Sequence, residues 1–203
     1  MATAGRRQRS DGARSRETIL RAAANLATVD GLDGITIGNL AGHIGMSKSG
    51  LYAHFGSKEE LQLATVDTAD AIFSAEVIEP TLAIEDPLQQ LLALVDSFLD
   101  HLERRVFAGG CFFATTWVEF GTKPGPVKDR ILEVSHGWLE HLRGLIAAAQ
   151  EAGELDKRQD ASQLAFELEA YMLLGNTEFV ATNDEQHLRR ARAAVRRRLG
   201  VPA

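Results

Sequence analysis

The sequence predicts an all-α fold of about nine helices, with a small three-helix unit at the N-terminus and a larger helical body behind it. Three observations predict this. Apolar residues recur at three- and four-residue spacing through almost the whole chain. Ser, Thr or Asp opens most of these segments, and Gly or Pro closes them. No segment alternates convincingly as a strand, and no internal repeat is present.

The elements follow in order. Residues 1–13 are Arg, Gly, Ser and Asp with few apolar residues and read as a flexible basic arm. Ile19, Ala22, Ala23, Leu26 and Ala27 define a first helix, and Gly31 ends it after Asp30. Thr36 caps a short helix carrying Ile37, Leu40, Ala41 and Ile44, and Gly45 supplies a tight turn. Ser47 caps a second short helix from Lys48 to about Phe55, stopped by Gly56. Ser57-Lys58-Glu59-Glu60 has the form of a capping box, opening a long helix predicted to reach about Ile78, before Pro80.

Asp86-Pro87 starts a helix whose buried face is Leu88, Leu91, Leu92, Val95, Phe98, Leu99 and Leu102. Gly109-Gly110 breaks the chain before an apolar helix from Cys111 to Phe120, and residues 121–126 form a Gly/Pro loop. A long helix then runs to about Ala152. Asp160 caps the next, to about Thr182, and a final helix spans about 184–199. Three domains result: the arm at 1–13, a three-helix unit at 14–56, and a body at 57–203 joined through a linking helix at 57–78.

Composition limits the function classes. The chain is 45% hydrophobic and 25% charged, as in an ordinary globular protein. No apolar run approaches the roughly 20 residues of a membrane span, and no apolar stretch follows Arg6, Arg7 and Arg9 as a secretory signal requires. Cys111 is the single cysteine, which excludes an intramolecular disulfide or a cysteine-based zinc cluster. A cytoplasmic location is expected. The net charge of −6 hides an asymmetry: residues 1–58 hold eight Lys or Arg against four acids, whereas the remainder holds 14 against 24. A basic N-terminal module on an acidic body suits a face held near phosphates.

The decisive stretch is Ile35 to Leu61. Two short helices joined by a glycine turn, followed by a capped third, can place the second helix in a DNA major groove. Leu40, Ile44, Leu51 and Phe55 are spaced to bury against the first helix. Lys48, Ser49, Gly50, Tyr52 and His54 are left facing outward. The helix N-termini at Ser47 and Ser57, with Lys48 and Lys58 beside them, suit phosphate oxygens.

Thr36, Leu40, Ala41, Gly45, Ser47-Lys48-Ser49-Gly50-Leu51-Tyr52, His54-Phe55 and Ser57-Lys58-Glu59-Glu60-Leu61 together resemble the TetR family of bacterial regulators. The resemblance is tight over residues 14–65 and thereafter extends only to helix count, length and order. It implies that Thr36, Ser47, Tyr52, His54 and Lys58 contact phosphates while Lys48, Ser49 and Gly50 lie nearest the base edges. A helix-packing role for Tyr52, a solvated surface position for His54 and ordinary surface charge for Lys48 and Lys58 are the alternatives. Arg14 and Arg16 adjoin the first helix and are further candidates for the DNA backbone.

The resemblance further implies a homodimer on a palindromic operator, with the interface on the last two long helices: Leu164, Leu168, Tyr171, Met172, Gly175, Phe179, Leu188 and Val195. The competing reading of that stripe is a core helix within one subunit. An apolar effector pocket is expected among the middle helices, from Phe73, Phe98, His101, Leu102, Phe107, Cys111, Phe112, Thr115, Trp117, Phe120 and Trp138. The expected function is a ligand-released transcriptional repressor, the alternatives being an activator or a ligand-independent DNA-binding protein of the same fold. Nothing in the sequence forms a nucleophile–base pair, a phosphate-binding glycine loop or a doubled metal motif, so neither enzyme, cofactor nor metal is expected. His136 between Glu133 and Glu140 is a lone chelating spacing. The six arginines of 189–198 read as a solvated helix face.

Overall fold

The computed structural model describes residues 2–202, with side chains from Ser15 to Pro202. Its described residues form nine α-helices and no strand: α1 (Ala2–Asp30), α2 (Ile37–Ile44), α3 (Lys48–Tyr52), α4 (Lys58–Phe73), α5 (Pro87–Glu103), α6 (Phe112–Phe120), α7 (Pro126–Glu151), α8 (Ala161–Thr182) and α9 (Gln186–Arg198). The backbone of α1 runs through residues 2–13, the stretch expected as an arm; those side chains, and that of Arg14, lie outside the described residues. No helix is long and apolar enough to cross a membrane among the described residues.

The N-terminal unit is held by one apolar contact set. Ile19, Ala23, Leu26 and Ala27 of α1 are buried with Leu40, Ala41, Leu51 and Phe55, whereas Ile44, expected in this core, is only partly covered. Thr36 caps α2 reciprocally: its Oγ1 accepts the Asn39 N–H at 3.1 Å, and Asn39 Oδ1 accepts the Thr36 N–H at 2.7 Å. Gly45 (φ 69°) ends α2 in the left-handed region and turns the chain toward α3. The expected box at Ser57 is altered. Ser57 Oγ does accept the Glu60 N–H at 3.0 Å, but Glu60 reaches past the cap to the Gly56 N–H at 2.8 Å and so ties α4 to the turn before it.

Two helices are shorter than their sequences suggest. α3 stops at Tyr52, because the His54 N–H turns back to the Leu51 carbonyl at 3.0 Å and tightens the last turn. α4 stops at Phe73 and gives way to a π-turn at Ser74–Ile78 and a 3₁₀ turn at Glu79–Thr81. Pro80 explains the change: it has no N–H to donate and its ring crowds the carbonyl four residues back, so the preceding turn widens.

α1 packs on α4 and α6, α4 on α7, α7 on α5 and α8, and α9 on α8 and α5. The Gly109-Gly110 break has a more specific role than ending a helix. A Cβ on Gly109 would lie 2.0 Å from the Thr28 carbonyl oxygen, and one on Gly110 (φ 84°) 2.4 Å from Asn176 Oδ1. The loop therefore lies flat against α1 and α8, with the Ala108 N–H on Asn25 Oδ1 (2.8 Å) and the Gly109 N–H on Thr28 Oγ1 (3.0 Å).

Candidate nucleic-acid interface and internal cavity

α3 is a five-residue helix presented on the surface of the N-terminal unit. Ser47 caps it, accepting the Gly50 N–H at 3.1 Å. Leu51 faces the core and is fully buried, and that single anchor orients the remaining positions outward. Thr36, Ser47, Lys48, Ser49, Tyr52 and Lys58 are all exposed; Gly50 and His54 are half-buried. Tyr52 is 61% exposed, which removes the helix-packing alternative for it. Gly38 of α2 lies under Lys48: a Cβ there would sit 3.5 Å from Lys48 Cε. Arg16 of α1 stacks its guanidinium over the Phe55 ring, 5.1 Å from the centroid, and so stands beside the same face.

Not every expected contact is equally free. The Thr36 hydroxyl is engaged in its cap. Lys58 Nζ bonds Asp33 Oδ1 at 2.6 Å, and Lys123 Nζ reaches Asp33 Oδ2 at 3.0 Å. The hydrogen bond from Lys58, and then that from Lys123, hold the Asp33 carboxyl down at about 2.

A cavity of about 690 Å³ opens between the end of α4, α6, α7 and α8, with Phe98 of α5 also in its wall. Of the residues expected in an effector pocket, Phe73, Phe98, Cys111, Trp117 and Trp138 line this cavity. Trp138 is the centre of its aromatic wall, 5.1 Å from Phe73 edge-on and 5.9 Å from Phe98 in a stacked arrangement. The other expected residues do not line it. His101, Leu102, Phe107, Phe112 and Phe120 are buried in the surrounding core, and Thr115 turns its hydroxyl onto the Cys111 carbonyl at 3.3 Å. A run of aromatics on consecutive helices marks core as readily as cavity wall; only the packing of α6 and α8 on α7 decides which side faces the void.

Three residues missed in the sequence shape this region. Glu169, on α8, faces the cavity and accepts the Trp138 Nε1–H at 2.7 Å; burial raises its carboxyl above the ordinary range. Its signal was an acid on the otherwise apolar arc of Phe166 and Leu173. Arg130, on α7, also lines the cavity and binds Asp67 (2.8 Å) and Asp70 (2.9 Å) of α4. Glu119, at the end of α6, accepts the backbone N–H groups of Leu32 (2.7 Å) and Asp33 (2.9 Å). These two long-range grips have no local sequence signature. Through Glu119 the cavity helix α6 holds the N-terminal unit directly, and through Arg130 α7 holds the linking helix α4.

The other flagged residues have internal partners. Cys111 is buried and its thiol is pushed up to about 12 by that burial, so it is not a reactive thiolate. Glu133 pairs with Arg130, Glu140 with Arg143, and His136 meets Trp117 edge-on at 5.8 Å; among the described residues no cluster can hold a metal ion. Of the C-terminal arginines, Arg192 binds Asp100 (2.6 Å) and Arg196 binds Asp96 (2.9 Å), fastening α9 to α5, while Arg198 pairs with Glu167. These three hold the helix to its neighbours; a purely solvated face was expected.

The expected interface stripe also turns inward. Leu164, Leu168, Met172, Gly175, Phe179, Leu188 and Val195 are buried within the single chain, and Tyr171 is half-buried. Gly175 lets α8 and α9 cross closely: a Cβ there would lie 2.8 Å from Ala191 Cβ. The outward face of α8 carries Leu174 (62% exposed) instead, with Phe166 (64%) at the rim of the cavity that it also lines.

Comparison with known proteins places this arrangement. A family model described as bacterial regulatory proteins, tetR family, matches residues 19–65, and one described as tetracyclin repressor-like, C-terminal domain, matches residues 87–195. The HTH-type transcriptional repressor BepR of Brucella suis biovar 1 (strain 1330) is 28% identical over 177 residues, 83% of this chain and 79% of BepR. A TetR transcriptional regulator from Chloroflexus aurantiacus J-10-FL has a TM-score of 0.84 at 27% identity, over 92% of this chain and 94% of its own. AibR, solved with isovaleryl coenzyme A and operator DNA, shares the fold with a TM-score of 0.73 at 22% identity, over 90% of this chain and 97% of its own. With matches over both the three-helix unit and most of the body, the chain belongs to the TetR family of bacterial transcriptional regulators.

Proposed function

We propose that this regulator is a repressor that binds a palindromic operator as a homodimer and leaves it when a small, mainly apolar ligand fills the cavity. The observation that carries the reading is the exposed α3 face, with Lys48, Ser49 and Tyr52 outward and no folding role for Tyr52 to explain its exposure. Thr36, Ser47, Tyr52, His54 and Lys58 serve the phosphates, and Lys48, Ser49 and Gly50 approach the bases. The small side chains at 49 and 50 favour close approach over bidentate readout. BepR, named a transcriptional repressor, supports repression as the sign of control.

A palindrome needs two recognition helices about one DNA turn apart. The exposed apolar face of α8, at Phe166 and Leu174, supports a second copy seated there. Ligand release follows from the two grips. A ligand that spreads α6 and α7 drags Glu119 away from the 32–33 turn and Arg130 away from α4, changing the spacing of the two α3 helices.

The experiment is an operator-affinity measurement on the full chain, using DNA selected from a random pool. Specific binding should exceed bulk-DNA binding by about 10³-fold or more at physiological salt. Equal affinity for bulk DNA would remove the specific-regulator reading.

A further inference from the structure

The cavity wall has an electrostatic character that its aromatic content conceals. Its ionisable lining is Asp70, Glu133 and Glu169 against Arg130 alone. Arg130 is already committed to Asp67, Asp70 and Glu133, at 2.8, 2.9 and 3.1 Å. Among the described residues, Glu169 has the neutral Trp138 N–H as its partner and no cation. A buried carboxylate without a positive partner is costly to maintain. The rings of Phe73, Phe98 and Trp138, clustered beside it, present the π-faces that attract cations. Ser135, also in the lining, has a buried hydroxyl with no hydrogen-bond partner.

We infer that the cavity takes a lipophilic monocation, an aromatic or bulky aliphatic body carrying an ammonium or comparable positive centre, with Glu169 as counter-ion and the Phe73–Phe98–Trp138 cluster as its seat. The inference rests on the cavity being the effector site. It narrows a mainly apolar ligand to one sign of charge. Anions of the same shape meet an acidic lining in which, among the described residues, the single guanidinium is already paired.

The test uses three probes of nearly one shape: tetraphenylphosphonium, neutral triphenylphosphine oxide and tetraphenylborate. Both tryptophans of the chain, Trp117 and Trp138, line the cavity, so intrinsic fluorescence excited at the indole edge reads occupancy directly, with calorimetry as a check. The phosphonium should bind at least tenfold more tightly than the borate. Glu169→Gln, which keeps an oxygen for the Trp138 N–H, should weaken the phosphonium about tenfold and leave the phosphine oxide within twofold. Glu169→Asp should retain the preference for the cation, which guards against a variant that merely loosens the fold.

Borate binding as tightly as phosphonium, an unaltered phosphonium affinity in Glu169→Gln, or no response to any probe would each overturn the inference. Operator affinity measured with saturating phosphonium separates the two readings. Glu169-dependent binding that leaves operator affinity unchanged upholds the cation site and removes its regulatory role.

Discussion

His101 sits against Phe73 and Phe107, at ring distances of 6.0 and 5.7 Å, with neither ring nitrogen hydrogen-bonded. Burial pushes its pKa down to about 4. An unfolded chain takes up a proton on this ring near pH 6.5 and the native chain only near 4. Stability is therefore full above pH 6.5 and falls as pH drops through that window, by about 3 kcal/mol in all. His101→Leu should flatten that part of a stability-against-pH curve measured by chemical denaturation; an unchanged slope would show that other groups carry it. At the DNA face the expected effects run the other way, on binding and not on folding. Lys48→Ala should lower operator affinity and relax the preference for the operator over other sequences. Lys58 and Lys123 share Asp33, but only Lys58 lies by the α4 N-terminus beside α3. Lys58→Ala should thus weaken binding to every DNA sequence tested, whereas Lys123→Ala should leave it near wild type in the same gel-shift titration. Equal losses would mean that the Asp33 pairings, and not phosphate contact, set the affinity.

Among the elements, those announced by local chemistry were legible in advance. Thr36, Ser47, Ser57, Asp86 and Asp160 all cap where their side chains and neighbours say they should, because each cap is decided within three residues. The end of α4 was not legible: Pro80 marked a stop, but the π-turn at Ser74–Ile78 depends on how the helix accommodates it against α5. Half of the cavity wall was misread for a related reason, since apolar periodicity says that Phe107 and Phe112 are inside without saying whether they face a void. The stripe from Leu164 to Phe179 went inward because α8 is covered by α7 on one side and α9 on the other within one chain. Gly109 gives this level its sharpest prediction. Gly109→Ala forces a Cβ into the α1 backbone and should cost about 2 kcal/mol in chemical denaturation; a neutral result would mean that the loop does not lie against α1. Glu119→Gln should leave folding and basal DNA binding intact but reduce the ligand's effect on operator affinity, because the amide offers one acceptor oxygen where the carboxylate serves two backbone N–H groups.

At the scale of the whole molecule, the acidic body and the basic first 58 residues make one face attractive to DNA and keep the remainder away from it. The cavity wall is formed in part by α6, which grips the N-terminal unit, and by α7, which grips the linking helix α4. In the proposed mechanism, that coincidence couples occupancy of the cavity to the position of α3. The exposed α8 face at Phe166 and Leu174 belongs to the same scale: Leu174→Asp should shift the protein toward monomer in analytical ultracentrifugation and weaken operator binding with it. The central claim is that α3 is a surface helix offered to a DNA groove. Tyr52→Ala tests it most directly, through operator affinity by fluorescence anisotropy alongside thermal unfolding on the same sample. The account predicts about tenfold weaker binding, roughly 1.4 kcal/mol, with an unfolding midpoint that does not move. Wild-type affinity in that variant, or a loss of affinity matched by a loss of stability, would contradict it.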